Sequence, residues 1–411
     1  MTDGSVTEAR IGVVGAGIVG LAVARRLQLA MNVEVTVIDK ESTVAAHQTS
    51  HNSNVVHSGV YYPPGSLKAT LCRRGGELLR AYCAERQLPY EEVGKVIVAV
   101  RNDETPRLSD LADRAKANGI PGSRLIDASE LRDREPHVHG LLALLIPGTA
   151  VVDFRIIAEQ LAAEIAEKGG EVLLGHPVMG VDVRSSAVHV ATGARELVFD
   201  HLVVCAGLQS SLLARLVGAA SDPEIIPFRG EYYEIVPEHS DLIRGLVYPV
   251  PDPRFPFLGV HFTRGLGGHV HVGPNAVLAM SQEGYGWSDV RLGDLWRTVR
   301  YPGMRKMARQ HWRMGAREIG GSLSKSLFFR RAHAYVPELT RSDLVRSGAG
   351  VRAQALRRDG SLVDDFVIDH QPRVTLVRNA PSPAATASLA IAEHIVGEMV
   401  DNDESFARRV R

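Results

Sequence analysis

Cysteine is scarce in this chain. Cys72, Cys83 and Cys205 are the 3 among 411 residues, with no CxxC pair and no zinc-like spacing. That argues against a disulfide framework and fits a reducing compartment, cytoplasmic by expectation. Net charge is missing as well: 47 Lys plus Arg face 47 Asp plus Glu. The whole chain therefore gives no reason to expect nucleic acid as a partner. No run approaches the roughly 18 unbroken apolar residues of a spanning helix. The opening MTDGSVTEAR lacks the apolar core of a secretory signal. Internal repeats and low-complexity tracts are absent too. What remains is ordinary for a globular protein, 45% hydrophobic and 23% charged. The length suits two domains with a sizeable shared core.

The residues that are present set out a nucleotide site early. An apolar run at 11–14 leads into Gly15-Ala16-Gly17-Ile18-Val19-Gly20 and the helix-like LAVARRLQ, and a second β run at 33–38 ends on Asp39. This is β–glycine turn–α–β in the compact form of a dinucleotide-binding unit. Gly15 permits the tight turn, Gly17 lets backbone approach a pyrophosphate, and Gly20 lets the helix sit close to the strand. The helix N-terminus offers unpaired N–H groups and a positive dipole end to phosphate. Asp39, about 20 residues past the motif, is placed to accept hydrogen bonds from ribose hydroxyls. FAD and NAD share this fingerprint, so the motif alone leaves the dinucleotide open.

Beyond it the pattern stays α/β at both ends, with a mixed insert between. A polar loop at 47–58 precedes a helix-like segment at 67–86, a strand at 95–100 and an exposed helix at 103–118. Residues 151–153 introduce a helix at 156–168, which Gly169-Gly170 stops before a strand at 171–174. The strand at 202–205 runs into Ala206-Gly207. From 227 to 271, strands separated by Pro and Gly suggest an antiparallel sheet. Strand, loop and helix return at 374–396, so one domain is built from discontinuous pieces.

The stretch TSHNSNVVHSGVYY at 49–62 resembles the flavin-contacting loop of the superfamily that holds glycine oxidase, sarcosine oxidase and glycerol-3-phosphate dehydrogenase. Within it the chain is more similar to the L-2-hydroxyglutarate oxidase/dehydrogenase family. The match runs through PPGSLKATLC at 63–72, PFRGEYY at 227–233, VGPNAV at 272–277 and VRNAPSPAATASLAIAEHI at 377–395. These blocks span almost the whole chain. The resemblance implies a Rossmann-type FAD-binding domain, discontinuous over 8–86, 147–220 and 343–408. It implies a substrate domain with a mixed or antiparallel sheet over 87–146 and 221–342. The implied reaction is oxidation of L-2-hydroxyglutarate to 2-oxoglutarate, with electrons passed on to oxygen or a quinone. Thr49, Ser50 and His51 would meet FAD phosphate, ribitol or ring, and the backbone of Val178 the adenine. Ala206 and Gly207 would line the pyrophosphate. Ser382 and Pro383 would precede a last helix facing the isoalloxazine carbonyls. Many members of the superfamily link flavin to a Cys or His; no residue here is assigned to such a link, so FAD is expected to be non-covalent.

Oxidising a 2-hydroxy acid needs a group to hold the carboxylate, a base for the hydroxyl proton, and the flavin as acceptor. Arg352, in AGVRAQ, resembles the arginine that binds substrate carboxylate elsewhere in the superfamily, and its planar fork suits that task. His261, in FLGVHFTR, is the candidate base. Alternation puts Leu258, Val260 and Phe262 on one face of that strand and Gly259, His261 and Thr263 on the other. The turn at 265–268 should return His269 and His271 across from them, giving a histidine-bearing face that lines a cleft. His57, inside the flavin loop, is placed beside flavin, with the base role as its second reading. Tyr62 and Lys68 are candidates for a second carboxylate of a dicarboxylate substrate.

One stretch remains. Between Arg291 and Arg331 basic residues recur, opposed only by Asp294 and Glu318, with Trp296, Tyr301, Trp312 and Phe328 interleaved. It is either a partly buried helix pair with a solvated face, or a peripheral surface that docks on anionic lipid and lets a quinone reach the flavin. Two alternatives for the whole protein stay open: an amine or amino-acid oxidase of the same fold, and a flavin-binding redox module without turnover.

Overall fold

The computed structural model describes residues 8–252 and 259–402, which form two large sheets whose residues line one cleft. In the first sheet Ala9–Val14, Val33–Ile38, Glu171–Leu173, His201–Val204 and Val374–Asn379 run parallel, and Val367–Gln371 closes one edge antiparallel. Alternation explains its two faces. Ile11, Val13, Val35 and Val37 pack with the helices Ile18–Ala30, Phe154–Glu167 and Ala384–Asn402. Val14, Ile38, Leu202 and Val204 pack the other way, against Val188, Val190 and Phe199 of a three-stranded antiparallel sheet. Covered on both faces, these strands read as continuous apolar runs. Ligands of such sheets bind in the crevice outside the strands' carboxyl ends, where the glycine turn lies.

The second sheet has nine strands and is mostly antiparallel. Its longest pair is Glu224–Ile235 with Leu344–Leu356, in contact from Glu224↔Leu356 to Ile235↔Leu344. Leu246–Pro249 lies parallel to Lys95–Ala99 and ties in the early insert. The expected hairpin forms, with His261–Arg264 against Val270–Gly273. Val260, Phe262, Val270 and Val272 enter a core with Val247, Phe328 and Ala332. His261 turns the other way, onto the face that carries Tyr248. Leu258, the first member of that alternation, lies outside the described residues.

The expected FAD-binding domain takes in a strand of the second sheet. Leu344–Leu356 begins just past 343 yet lies in the second sheet, because its whole length pairs with Glu224–Ile235. That partner is more than a hundred residues away, and no local pattern marks it. The stretch 291–331 is helical, as Leu292–Arg300, Pro302–Leu323 and Lys325–His333. The side chains of Arg313, Arg317 and Glu318 are outside the description, as are residues 403–408. No helix among the described residues is long and apolar enough to cross a membrane.

Candidate active site

A cavity of about 540 Å³ runs from the glycine turn to Arg352 on the strand Leu344–Leu356. At the turn Gly15 has φ +112°, a conformation that suits glycine. A Cβ there would strike the Cys205 carbonyl oxygen, and one at Gly20 would strike that of Gly15. Gly17 differs: a Cβ would meet only Thr49 Oγ1, at 3.4 Å, so its backbone is open to the cavity it lines. Thr49 caps the first helix across sequence, accepting from Ile18 N–H at 3.0 Å. Asp39 accepts from Ala16 N–H at 2.6 Å through Oδ2 and from Glu41 N–H at 2.9 Å through Oδ1. It therefore braces the glycine turn as well as lining the cavity.

His51, Val178, Ala206, Gly207, Ser382 and Pro383 also line the cavity. Ser50 does not, which corrects its expected contact: its hydroxyl donates to the Ala45 carbonyl at 2.7 Å and orders the loop instead. Gly20 sits behind the turn as the helix–strand spacer. Sequence reasoning missed a clasp at this end. Tyr285 stacks on His51 with ring centroids 4.2 Å apart, and Lys40 pairs with Glu283 at 2.9 Å. These contacts join segments more than two hundred residues apart, and no motif announced them.

At the far end, His261 and His57 both line the cavity. His261 Nδ1 lies 2.9 Å from the Gly259 carbonyl. A carbonyl only accepts, so Nδ1 carries the proton and Nε2 presents its lone pair. The ring stacks on Tyr248, centroids 4.1 Å apart. Burial, helped by the charges of Arg352 and Lys95, pushes the His261 pKa down to about 3, so the imidazole is neutral near pH 7. His57 is also pushed down to about 3, by burial first and then by Lys95, His261, Arg352 and Lys68. Its backbone is pinned: its N–H donates to Thr386 Oγ1 at 3.1 Å, and its carbonyl accepts from Cys72 Sγ at 3.3 Å.

Arg352 pairs with Phe228 in the sheet. Two residues before it, a Cβ at Gly350 would collide with the His51 carbonyl, so glycine there lets the flavin-type loop lie directly against the strand that bears Arg352. Lys68 Nζ donates to the Asp364 carbonyl at 2.8 Å and stands 4.9 Å from the Tyr62 ring centre. The expected histidine face is smaller than the alternation suggested. His271 pairs with Thr263, two residues along the ladder from the His261↔Gly273 pair, and its ring meets Tyr232 edge-on at 6.2 Å. His269 contacts His271 at 4.8 Å, and neither lines the cavity. Tyr61, Tyr232 and Tyr248 do line it and were missed. The signal for Tyr248 was parity, two residues on from Leu246 in LVYP, but parity alone does not say which face is a cavity.

Comparisons with known proteins agree with this layout. A family described as FAD dependent oxidoreductase matches residues 10–397. L-alpha-glycerophosphate oxidase from Mycoplasma pneumoniae, solved with FAD bound, shares the fold with a TM-score of 0.77 at 22% identity, over 95% of this chain and 94% of that one. Glycine oxidase from Geobacillus kaustophilus gives 0.70 at 18% identity, over 94% of each. The class is that of FAD-dependent oxidoreductases. Among curated sequences, L-2-hydroxyglutarate dehydrogenase of Indibacter alkaliphilus is 45% identical over 92% of this chain and 96% of its own length. The mitochondrial L-2-hydroxyglutarate dehydrogenase of Homo sapiens is 43% identical over 94% of this chain and 88% of its own. The chain belongs to the FAD-dependent oxidoreductase family and, within it, to the L-2-hydroxyglutarate dehydrogenases.

FAD is its cofactor, and the residues fit it. An open glycine backbone and a capped helix start suit a pyrophosphate, and Asp39 lines the wall where a ribose would lie.

Proposed function

We propose that this chain oxidises L-2-hydroxyglutarate to 2-oxoglutarate, with FAD held non-covalently. The observation that carries the reading is the far end of the cavity, where His57 and His261 line the wall together with Arg352. Bound FAD supplies the two-electron acceptor. Gly15, Gly17, Asp39, Thr49, His51, Val178, Ala206, Gly207, Ser382 and Pro383 hold it. Arg352 grips the carboxylate next to the reacting carbon through its planar fork. His261 Nε2 takes the hydroxyl proton, and its neutrality leaves that lone pair free at ordinary pH. His57 packs beside the reacting centre, while Lys68 and Tyr62 face the second carboxylate. The test is anaerobic addition of a hydroxy-acid panel to the yellow protein. Bleaching of the flavin with L-2-hydroxyglutarate, ahead of the D-isomer and monocarboxylates, supports the reading. Preferential bleaching by an amino acid overturns it.

The electrons pass from the flavin to oxygen or a membrane quinone. A docking face supports the quinone route. Leu292, Trp296 and Val299 are 77%, 61% and 48% exposed and share one face of the helix Leu292–Arg300. Arg300 stands 5.2 Å from the Trp296 ring centre, joining charge to the apolar stripe. On this reading the protein is cytoplasmic and docks peripherally on the inner face of the membrane. Co-sedimentation with anionic vesicles at low salt, lost at high salt or with neutral lipid, is the expected result. Equal binding to both vesicle types, or none, overturns the docking.

A further inference from the structure

Lys95 opens the strand Lys95–Ala99 and is 2% exposed. Its Nζ is buried with no hydrogen-bond acceptor among the described residues. It stands 4.9 Å from the ring centre of Tyr61 and 4.8 Å from that of Tyr248, and both rings line the cavity. Lys68 makes the contrast. Its Nζ has the Asp364 carbonyl at 2.8 Å, and the Asp364 and Asp365 charges help hold its proton. Lys95 has neither carbonyl nor carboxylate. The groups around it are Cys72 on the helix Leu67–Arg86, His57 and Tyr61 on the flavin-type loop, Tyr248 on Leu246–Pro249 and His261 on His261–Arg264. None of these carries a negative charge near pH 7.

A buried lysine without a counter-charge is costly, and an apolar side chain of similar volume would suit the core better. A charge kept in spite of that cost needs an anion that the folded chain does not supply. We propose that Lys95 is a specificity-determining positioning residue, which selects a dianionic substrate over a monoanion by acting through the Tyr61 and Tyr248 rings. This deepens the dicarboxylate reading above and rests on it. Arg352 answers one carboxylate; Lys95 makes the cavity wall favourable to the second. Burial pushes the Lys95 pKa down to about 8, so the free protein holds it only part charged above that pH. A dianion raises that pKa, and binding at pH 8 to 8.5 then takes up a proton.

The probes are glutarate and valerate, five-carbon acids with two carboxylates and one, titrated into FAD-loaded protein by flavin absorbance. Wild type should bind glutarate at least tenfold tighter than valerate, with glutarate affinity falling as pH rises through 8. Lys95→Met should lose on the order of tenfold in glutarate affinity, with valerate changed less than threefold. Lys95→Arg should keep the preference and lose the pH dependence. Proton uptake on glutarate binding, read in buffers of different ionisation enthalpy, should appear in wild type and vanish in both variants. That measurement on wild type needs no variant to fold. A merely structural lysine predicts the opposite pattern, altered melting with unaltered selectivity. If wild type prefers glutarate and Lys95→Met keeps that preference, or if wild type takes up no proton near pH 8, the proposal fails while the substrate reading stands. If wild type itself shows no preference for glutarate, both fail together.

Discussion

The two ends of the cavity solve the same problem, holding charge in a buried place, by different means. At the cofactor end the polar work falls largely to backbone. Gly17 bares its chain, Thr49 accepts from Ile18 N–H, and both oxygens of Asp39 are tied to main-chain N–H groups. At the substrate end the groups are side chains whose pKa values burial pushes down: His57 and His261 to about 3 and Lys95 to about 8. The first arrangement is preorganised by the fold of the main chain. The second is poised, neutral where a base is needed and short of negative charge where a dianion is expected. Binding and chemistry are thus separated along one cavity.

The largest expected break in that comparison is at His261. His261→Ala should slow flavin reduction by roughly 10²–10⁴, the usual scale for a general base, and leave FAD bound. Single-turnover bleaching reads this step without involving the final acceptor. A wild-type rate would move the base role to His57. Arg352→Lys comes next. It keeps a charge but loses the planar fork, so KM should rise by about ten- to a hundredfold with a smaller change in kcat. A fall confined to kcat would mean that Arg352 acts on the transition state rather than on the ground-state carboxylate. At the other end, Asp39→Ala removes two charge-assisted bonds to main chain, worth about 1.5–3 kcal/mol each by general experience. Loosening of the turn should show as loss of FAD on prolonged dialysis with substrate preference unchanged. Full retention would place the brace elsewhere.

The same contrast explains what the sequence made legible. Backbone sites need particular residues at fixed spacing, so Gly15, Gly17, Gly20 and Asp39 could be read from a 25-residue window. The hairpin around His261 was legible because alternation and a glycine turn are local. Pairing of Leu344–Leu356 with Glu224–Ile235 was not. Ser50 shows a different limit. A hydroxyl inside a cofactor loop reads as a ligand, yet the Ala45 carbonyl five residues back claims it. Lys95 shows the steepest limit. In KVIVAV it reads only as the start of a strand, and the approach of Tyr61 and Tyr248 is what reveals that it is enclosed.

The smallest expected effect is a flat line, and it tests the poised end most directly. A base must be neutral to act, so activity is lost as pH falls through the pKa of His261 in the free protein, which kcat/KM reports. For an imidazole at its ordinary value of about 6.5, that limb would cut kcat/KM about tenfold between pH 7.5 and 5.5. Burial has moved His261 to about 3, so protonation is negligible over this window and kcat/KM should change less than twofold. The substrate carboxyls, ordinary acids, stay ionised there as well. An acid limb centred near 6 to 6.5 would mean that His261 meets water freely. The cavity's far end would then be no better shielded than a surface histidine, and the division between a preorganised and a poised end would not hold.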